Sequence, residues 1–517
     1  MPITTNDIKL MKSERLTDDA DGGGRMSGNE VVDGVSNNLF PDIATLDRIN
    51  GRVFLRKVFP ALLTTDTESL LGAHAIIVAG PTDPAVSAVM YTTGSHTDER
   101  AAAAESLEAN RYSTNSADVL QAHTVTASTS SSVTVSDAAP IVGGVYRFAT
   151  TGNTLVDVVY VTGVTGAGPW VATFSPYSVL GPNAISTFGI AKTQPGRYGI
   201  SPLAATVSSG SVLTVGTVNE RISPKYDGVD QNLVKFNPAN LPDGRAPIFA
   251  PGSVVVVHHT DEDTMPNPLS AGQVVNLSRA TLARCILVDQ EGDIVATDKY
   301  TVNLTTGQVT MATPLDLSAY TQPLIARHRI EQMFRLTAVN NATKQLTVAG
   351  SVTRTFPANE TLVSSALYLG DLKARVLNVL DQQTWTGVWS DGVIGSGAPA
   401  TYNHVTYPIT VTNKGAIKER WAVEFTGATA FRVIGETVGQ IAVGSTGTLT
   451  APINPTTGEP YFAIPALGWG SGWSSGNALR FNTEAAAGPV WIDRCVNLGE
   501  PQASDLFSVE IRGDINA

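Results

Sequence analysis

Short runs of alternating Thr, Val and Ser, separated by Gly and Pro, fill the sequence from about Val119 to Ile222, and they point to antiparallel β-structure. HTVTAS, SSVTVS, VYRFAT, LVDVVYVTGV, WVATFS and SVLTVGTV all fall in this stretch. In Val133-Thr134-Val135 and from Val156 to Val161, apolar residues take every second position, the period of a strand with one buried face. Strands recurring at intervals of roughly 8–12 residues are typical of sandwiches and barrels. The expected fold class is therefore mainly β: antiparallel sandwich or barrel modules, one short helix and an extended N-terminal arm.

Composition agrees. Charged residues make up 15% of the 517, against roughly 25% in an ordinary soluble domain. This length implies roughly three or four domains, each with its own core. The 34 basic and 46 acidic residues give a net charge of −12. No Lys/Arg cluster is present, which argues against a partner whose phosphates must be neutralised. Cys285 and Cys495 lie in apolar runs and are expected as buried thiols. MPITTNDIKL lacks the pattern of a secretory signal, and no apolar run approaches the ~18 residues of a membrane helix. The expectation is a soluble product made in the cytoplasm.

The sequence divides into five segments. Residues 1–45 include TDDADGGGRMSGNEVVDGVSNN, rich in Gly and Asp and poor in apolar area. Such a stretch is expected as an arm that is disordered or orders against a neighbouring subunit, with Leu39-Phe40-Pro41 as its anchor. Residues 46–118 bring strands (VFLRKVF, AHAIIVAG, AVSAVMY) and a helix at about 96–112, opened by Ser95 and Asp98 in the manner of a capping box. Residues 119–225 form the inserted β-domain. Residues 226–330 hold a Pro-rich crossing, the strand VVVVHH and a hairpin in which Tyr300, Val302, Leu304, Val309 and Met311 face inward around a turn at Gly307. Residues 331–517 form a Trp-rich C-terminal β-domain, since six of the seven tryptophans lie after residue 384.

Chemical candidates are few, and each has a structural alternative. His258-His259 followed by Asp261-Glu262-Asp263 is the one local set of metal-type ligands. Adjacent strand histidines face opposite ways, so a polar strand end entering a turn is the expected role. Gly470-Ser471-Gly472 lacks the strand-to-helix context of a nucleophile elbow. Glu419 and Glu424 flank Trp421 at an odd spacing, which separates them as a glycosidase pair. Trp469 and Trp473 in GWGSGW suit either a core or a sugar-stacking surface. Arg512-Gly513-Asp514 spells an integrin tripeptide and is read as coincidence. No catalytic, cofactor-binding or metal residue is assigned, and no enzyme activity or cofactor is expected.

The plan of a Gly-rich arm, an inserted β-domain, a hairpin module DKYTVNLTTGQVTM and an end in GNALRFNT…PVWIDR…RGDIN resembles structural proteins of tailed-bacteriophage particles. YTVNLTTGQVT is similar to the small Ig-like units of phage tail and baseplate proteins. The resemblance implies a virion subunit, of tail or baseplate type, forming a symmetric oligomer with copies of itself and other tail proteins. No nucleic-acid partner and no membrane insertion are expected, on the charge distribution and hydropathy given above. The alternatives are a receptor- or carbohydrate-binding tail protein that recognises a host surface glycan, a sheath subunit, a head-associated decoration protein, or an envelope-degrading enzyme. The alternating helix–strand pattern of a sheath core is absent from the sequence.

Overall fold

The computed structural model describes residues 3–103, 119–140, 142, 145–151, 156–174, 184–191, 196–221, 245–497, 499–500 and 505–515. The chain is mainly β, built of antiparallel sheets, and among the described residues none closes into a barrel. Two sheets form its body. The first has five strands: β1 (Ile8–Arg15), β2 (Gly23–Glu30), β3 (Arg52–Leu62), β5 (Val86–Tyr91) and the late strand Val490–Val496. Their order is β2, β1, β3, Val490–Val496, β5. The second has nine strands, among them β4 (Leu70–Ala79), Val254–Thr264, Ile325–Asn340, Leu362–Leu372 and Ser508–Ile515.

In the first sheet β3, β5 and Val490–Val496 are buried on both faces. Val53, Leu55, Val89, Tyr91, Trp491 and Cys495 pack with Val255, Val257, Ile330 and Phe334 of the second sheet. From the opposite face Phe54, Val58, Met90 and Ile492 meet Ala75, Ile77 and Leu367. A strand covered on both sides needs apolar residues throughout, which is why VFLRKVF and VWIDRCV show no alternation. Their charged members are buried as well and require partners.

Arg56, Lys57 and Arg494 find partners in the segment expected to be an arm, and Lys57 also in Asp98. Residues 8–30 instead form the β1–β2 hairpin, with β1 paired to β3 from Ile8↔Leu62 to Lys12↔Val58. Asp18 receives two hydrogen bonds from the buried Arg56, at 2.5 and 3.0 Å. Gly24 O accepts from Lys57 Nζ at 2.8 Å. Phe40 is an anchor, but to its own body: Arg494 lies 4.7 Å over its ring and donates to Pro41 O. The Asp- and Gly-rich composition thus supplies counter-charges and close backbone approach, neither of which apolar area measures.

Helix is scarce among the described residues. Thr45–Asn50 forms a short α-helix. The helix expected at 96–112 begins as one turn over residues 100–103, and the rest lies outside the described residues. Ser95 Oγ accepts the Asp98 amide at 3.1 Å, as a cap would. The Asp98 carboxylate, however, turns to Lys57, Thr93 and Trp491.

Three modules leave this body. Residues 119–191 make a seven-stranded sheet around Tyr146, Phe148, Phe174 and Phe188. The next two strands, Ile200–Pro202 and Val212–Thr214, already belong to the nine-stranded sheet. The hairpin pairs Tyr300–Asn303 with Gln308–Met311, and Val274–Asn276 is its third strand. Gly307 takes φ +68° and closes the turn against Arg279 O, leaving no room for a Cβ. Tyr300, Val309 and Met311 are buried, whereas Leu304 is exposed because it already lies in the turn.

The stretch 331–517 is divided. Five strands between Arg375 and Glu484 form a separate sheet with an aromatic core, while the strands before and after them belong to the body. This module is fastened at Asn413. Its side chain donates to Thr64 Oγ1 and Glu68 O, both at 2.8 Å, and accepts the Ala374 amide.

Candidate functional site

The histidine–carboxylate candidate is an ordered strand, where a turn had been expected. Val254–Thr264 runs through all five residues and pairs with Ile325–Asn340, so Asp261 lies opposite His328 and Glu262 opposite Arg327. Each acid is taken. Asp261 bonds His259 and Arg279, Glu262 bonds Arg327, and Asp263 bonds His328 Nε2 at 2.8 Å and the Ser278 amide. His258 faces the other way, with Nε2 2.9 Å from Ser364 Oγ. Because the Ser364 hydroxyl donates to Ile77 O, His258 Nε2 carries the proton and donates to Ser364. A serine engaged in this way is not activated by its histidine. Burial, with the charges of Arg329 and Arg512, pushes the His258 pKa down to about 3 and keeps the ring neutral. Among the described residues no group of three His, Cys, Asp or Glu is placed to hold a metal ion.

The other candidates also sit in structural settings. Cys495 is buried; Cys285 is partly buried, and burial raises its thiol pKa to about 11. Glu419 points into the 375–484 core, where it accepts Thr437 N, while Glu424 points out to Arg432. Trp421 is fully buried between the two acids, with its indole N–H on Thr483 Oγ1 at 2.8 Å. Trp473 stacks on Phe425 (4.5 Å, 4°), and Trp469 meets Phe425 edge-on at 5.4 Å. GWGSGW therefore supplies core aromatics, while Ser471 is exposed in its turn.

Arg512 of the RGD tripeptide is engaged in a charge cluster that local sequence did not reveal. Glu510 receives both terminal nitrogens of Arg329 (3.0 and 2.6 Å), Arg284 (2.7 Å) and Arg512 (3.0 Å). Arg512 also reaches Glu331 at 2.6 Å. Burial pushes the Glu510 pKa up, but bonding and charge from Arg329 and Arg512 outweigh it and hold the carboxyl at about 2. The cluster fastens the strand Ser508–Ile515 across to Ile325–Asn340.

Several large apolar side chains of the 375–484 module face solvent. Val405 is 83% exposed, Leu467 76%, Val443 75%, Leu449 65% and Ile453 57%. Backbone bonds bring the segments that carry them side by side: Asn403 N to Gly468 O at 2.8 Å, and Thr450 with Ile464 in both directions. Next to them, Gly439–Ser445 (GQIAVGS) is the edge of the five-stranded sheet and carries no charge. Free edges are normally blunted by charge or proline, and exposed apolar groups of this kind mark protein contacts. This rim of the 375–484 module is the candidate functional surface.

No protein-family model matches the chain, and no curated protein does. The rim therefore stands on its own geometry. A second surface lies on the same module: Trp385 and Trp389 are half-buried and edge-to-face at 4.8 Å, with Arg480 over Trp385 at 5.1 Å. The signal that could have separated them from the other tryptophans is their loop, TWTGVWSDG, which has no strand-period apolar neighbours. No helix among the described residues is long and apolar enough to cross a membrane.

Proposed function

We propose that this chain is a structural subunit of a tailed-bacteriophage particle, of tail or baseplate type, which assembles into a symmetric oligomer. The observation that carries the assembly reading is the rim of Val405, Val443, Leu449, Ile453 and Leu467 beside an uncharged sheet edge. The placement in a phage particle rests on the resemblance of the hairpin and C-terminal motifs. The subunit's task is geometric. A rigid two-sheet body carries three β-modules, and the rim of one copy docks on its neighbour. Rings follow where the contact is head-to-tail and the rotation closes. Since β1 and β2 are part of the body, the contact falls to the rim.

Light scattering of the purified chain across a concentration series tests this. A defined oligomer is expected, together with a folded monomer, of unchanged far-ultraviolet circular dichroism, for the double variant Val443→Asp/Leu449→Asp. A wild-type chain that stays monomeric at every concentration refutes the reading.

A receptor- or glycan-binding role is favoured by the half-exposed Trp385–Trp389 pair, since aromatic faces beside polar groups suit sugar rings. Asp391, Arg420 and Asn482 are bonded together nearby. Glycan-array binding that disappears in Trp385→Ala is the result this second role requires.

A further inference from the structure

Lys57 is a lysine with no access to solvent, and its side chain ends on a carboxylate. It projects from β3, is 0% exposed, and places Nζ 2.5 Å from Asp98 Oδ1. Nζ also donates to Gly24 O at 2.8 Å. Phe59 and Trp491 wall the site, their ring centroids 5.2 and 5.7 Å from Nζ. The other carboxylate oxygen is held separately. Asp98 Oδ2 accepts the Thr93 hydroxyl at 2.7 Å and the Trp491 indole N–H at 3.2 Å.

We propose that Lys57 and Asp98 become joined through their side chains by an intramolecular amide bond. In water, an amine and a carboxylic acid stay apart chiefly because the ionised pair is so well solvated. Enclosure removes that solvation from Lys57, which is 0% exposed, and most of it from Asp98, which is 10% exposed, and taking ions out of water is costly. Transfer of one proton along the short Nζ–Oδ1 contact gives the neutral pair, amine and carboxylic acid. Burial acts in the same direction on Lys57, lowering its pKa against the opposing pull of Asp98.

The bond changes balance without any further reactant. The neutral Nζ attacks Asp98 Cγ and forms the C–N bond. Negative charge develops on Oδ2, where the Thr93 O–H and Trp491 N–H already point, as donors do in an oxyanion hole. A second Nζ proton passes to the Oδ1 hydroxyl, the C–Oδ1 bond breaks, and one water leaves. Nothing is oxidised or reduced. Holding the two groups in contact replaces a bimolecular encounter, an advantage worth about 10⁵ M or more in effective concentration. The product staples β3 to the loop before the helical turn at residues 100–103, on the path to the 119–191 module. It does not depend on the assembly reading.

Mass spectrometry of the denatured full-length chain decides the matter. The wild type is expected one water lighter than its sequence, with Met1 removal taken into account. A tryptic map is expected to show one branched species carrying both Lys57 and Asp98, uncut after Lys57. Lys57→Arg, which keeps the charge but presents no lysine amine, is expected at full sequence mass. Because the readout is covalent and taken unfolded, it does not require the variant to fold well. A wild-type chain at full mass, with Lys57 and Asp98 recovered on separate peptides, overturns the proposal.

Discussion

Glu510→Gln should destabilise the body by about 3–5 kcal/mol, the usual cost of removing one member of a buried ion pair. The carboxylate is shared by Arg284, Arg329 and Arg512; without its charge Glu331 alone serves Arg329 and Arg512, and Arg284 loses its carboxylate. Urea unfolding midpoints of wild type and variant at neutral pH measure the loss. The pH dependence has a definite sign. Glu510 is lowered on folding, from 4.5 to about 2. Its stabilisation is therefore complete above the unfolded value and disappears as pH falls from about 4.5 towards 2. The difference between wild type and Glu510→Gln should shrink through that window. A difference that stays constant from neutral pH down to pH 2 would show that the ionised carboxylate is not what holds the strand.

The second large effect is expected at Gly23, in the segment whose composition looked least structured. Gly23 has φ +96°, and an added Cβ would lie 2.6 Å from the indole of Trp491. Gly23→Ala combines backbone strain of about 1–3 kcal/mol with a steric overlap of similar size. Trp491 is fully buried, so the hairpin has to lift to relieve the clash. Limited proteolysis should cut the variant within residues 15–25 while leaving wild type intact there. Equal resistance in both chains would mean that the hairpin does not sit on Trp491.

These two sites show where local sequence is informative and where it is not. The alternation of YTVNLTTGQVTM gave the hairpin and nearly all of its inward residues, because turn and pairing lie within a dozen positions. The same reasoning separated His258 from His259 and Glu419 from Glu424, since strand period alone decides which face a side chain takes. It could not pair Val53 with Cys495 or Glu510 with Arg329, contacts between distant parts of the chain. The hairpin of residues 8–30 was missed for a different reason. A low-hydrophobicity criterion asks how much apolar area a segment buries, whereas Asp18 and Gly23–Gly24 contribute a counter-ion and a flat backbone. Arg56 and Lys57 in an otherwise apolar strand were the available signal, since buried cations require acids from elsewhere. The rim of Val405, Val443 and Leu467 had no such signal, because exposure depends on tertiary placement.

The first sheet also constrains how the chain can be made. Its central strand β3 is flanked by β1 and by Val490–Val496, so the inner sheet stays incomplete until a segment more than four hundred residues downstream has emerged. The three β-modules close through contacts within their own segments and can fold during synthesis, while the sheet edges of the body wait. Pairings of such long range are slow, and unpaired edges left open meanwhile invite wrong partners. The yield of this protein should therefore depend more on protection of the nascent body than on the stability of any one module.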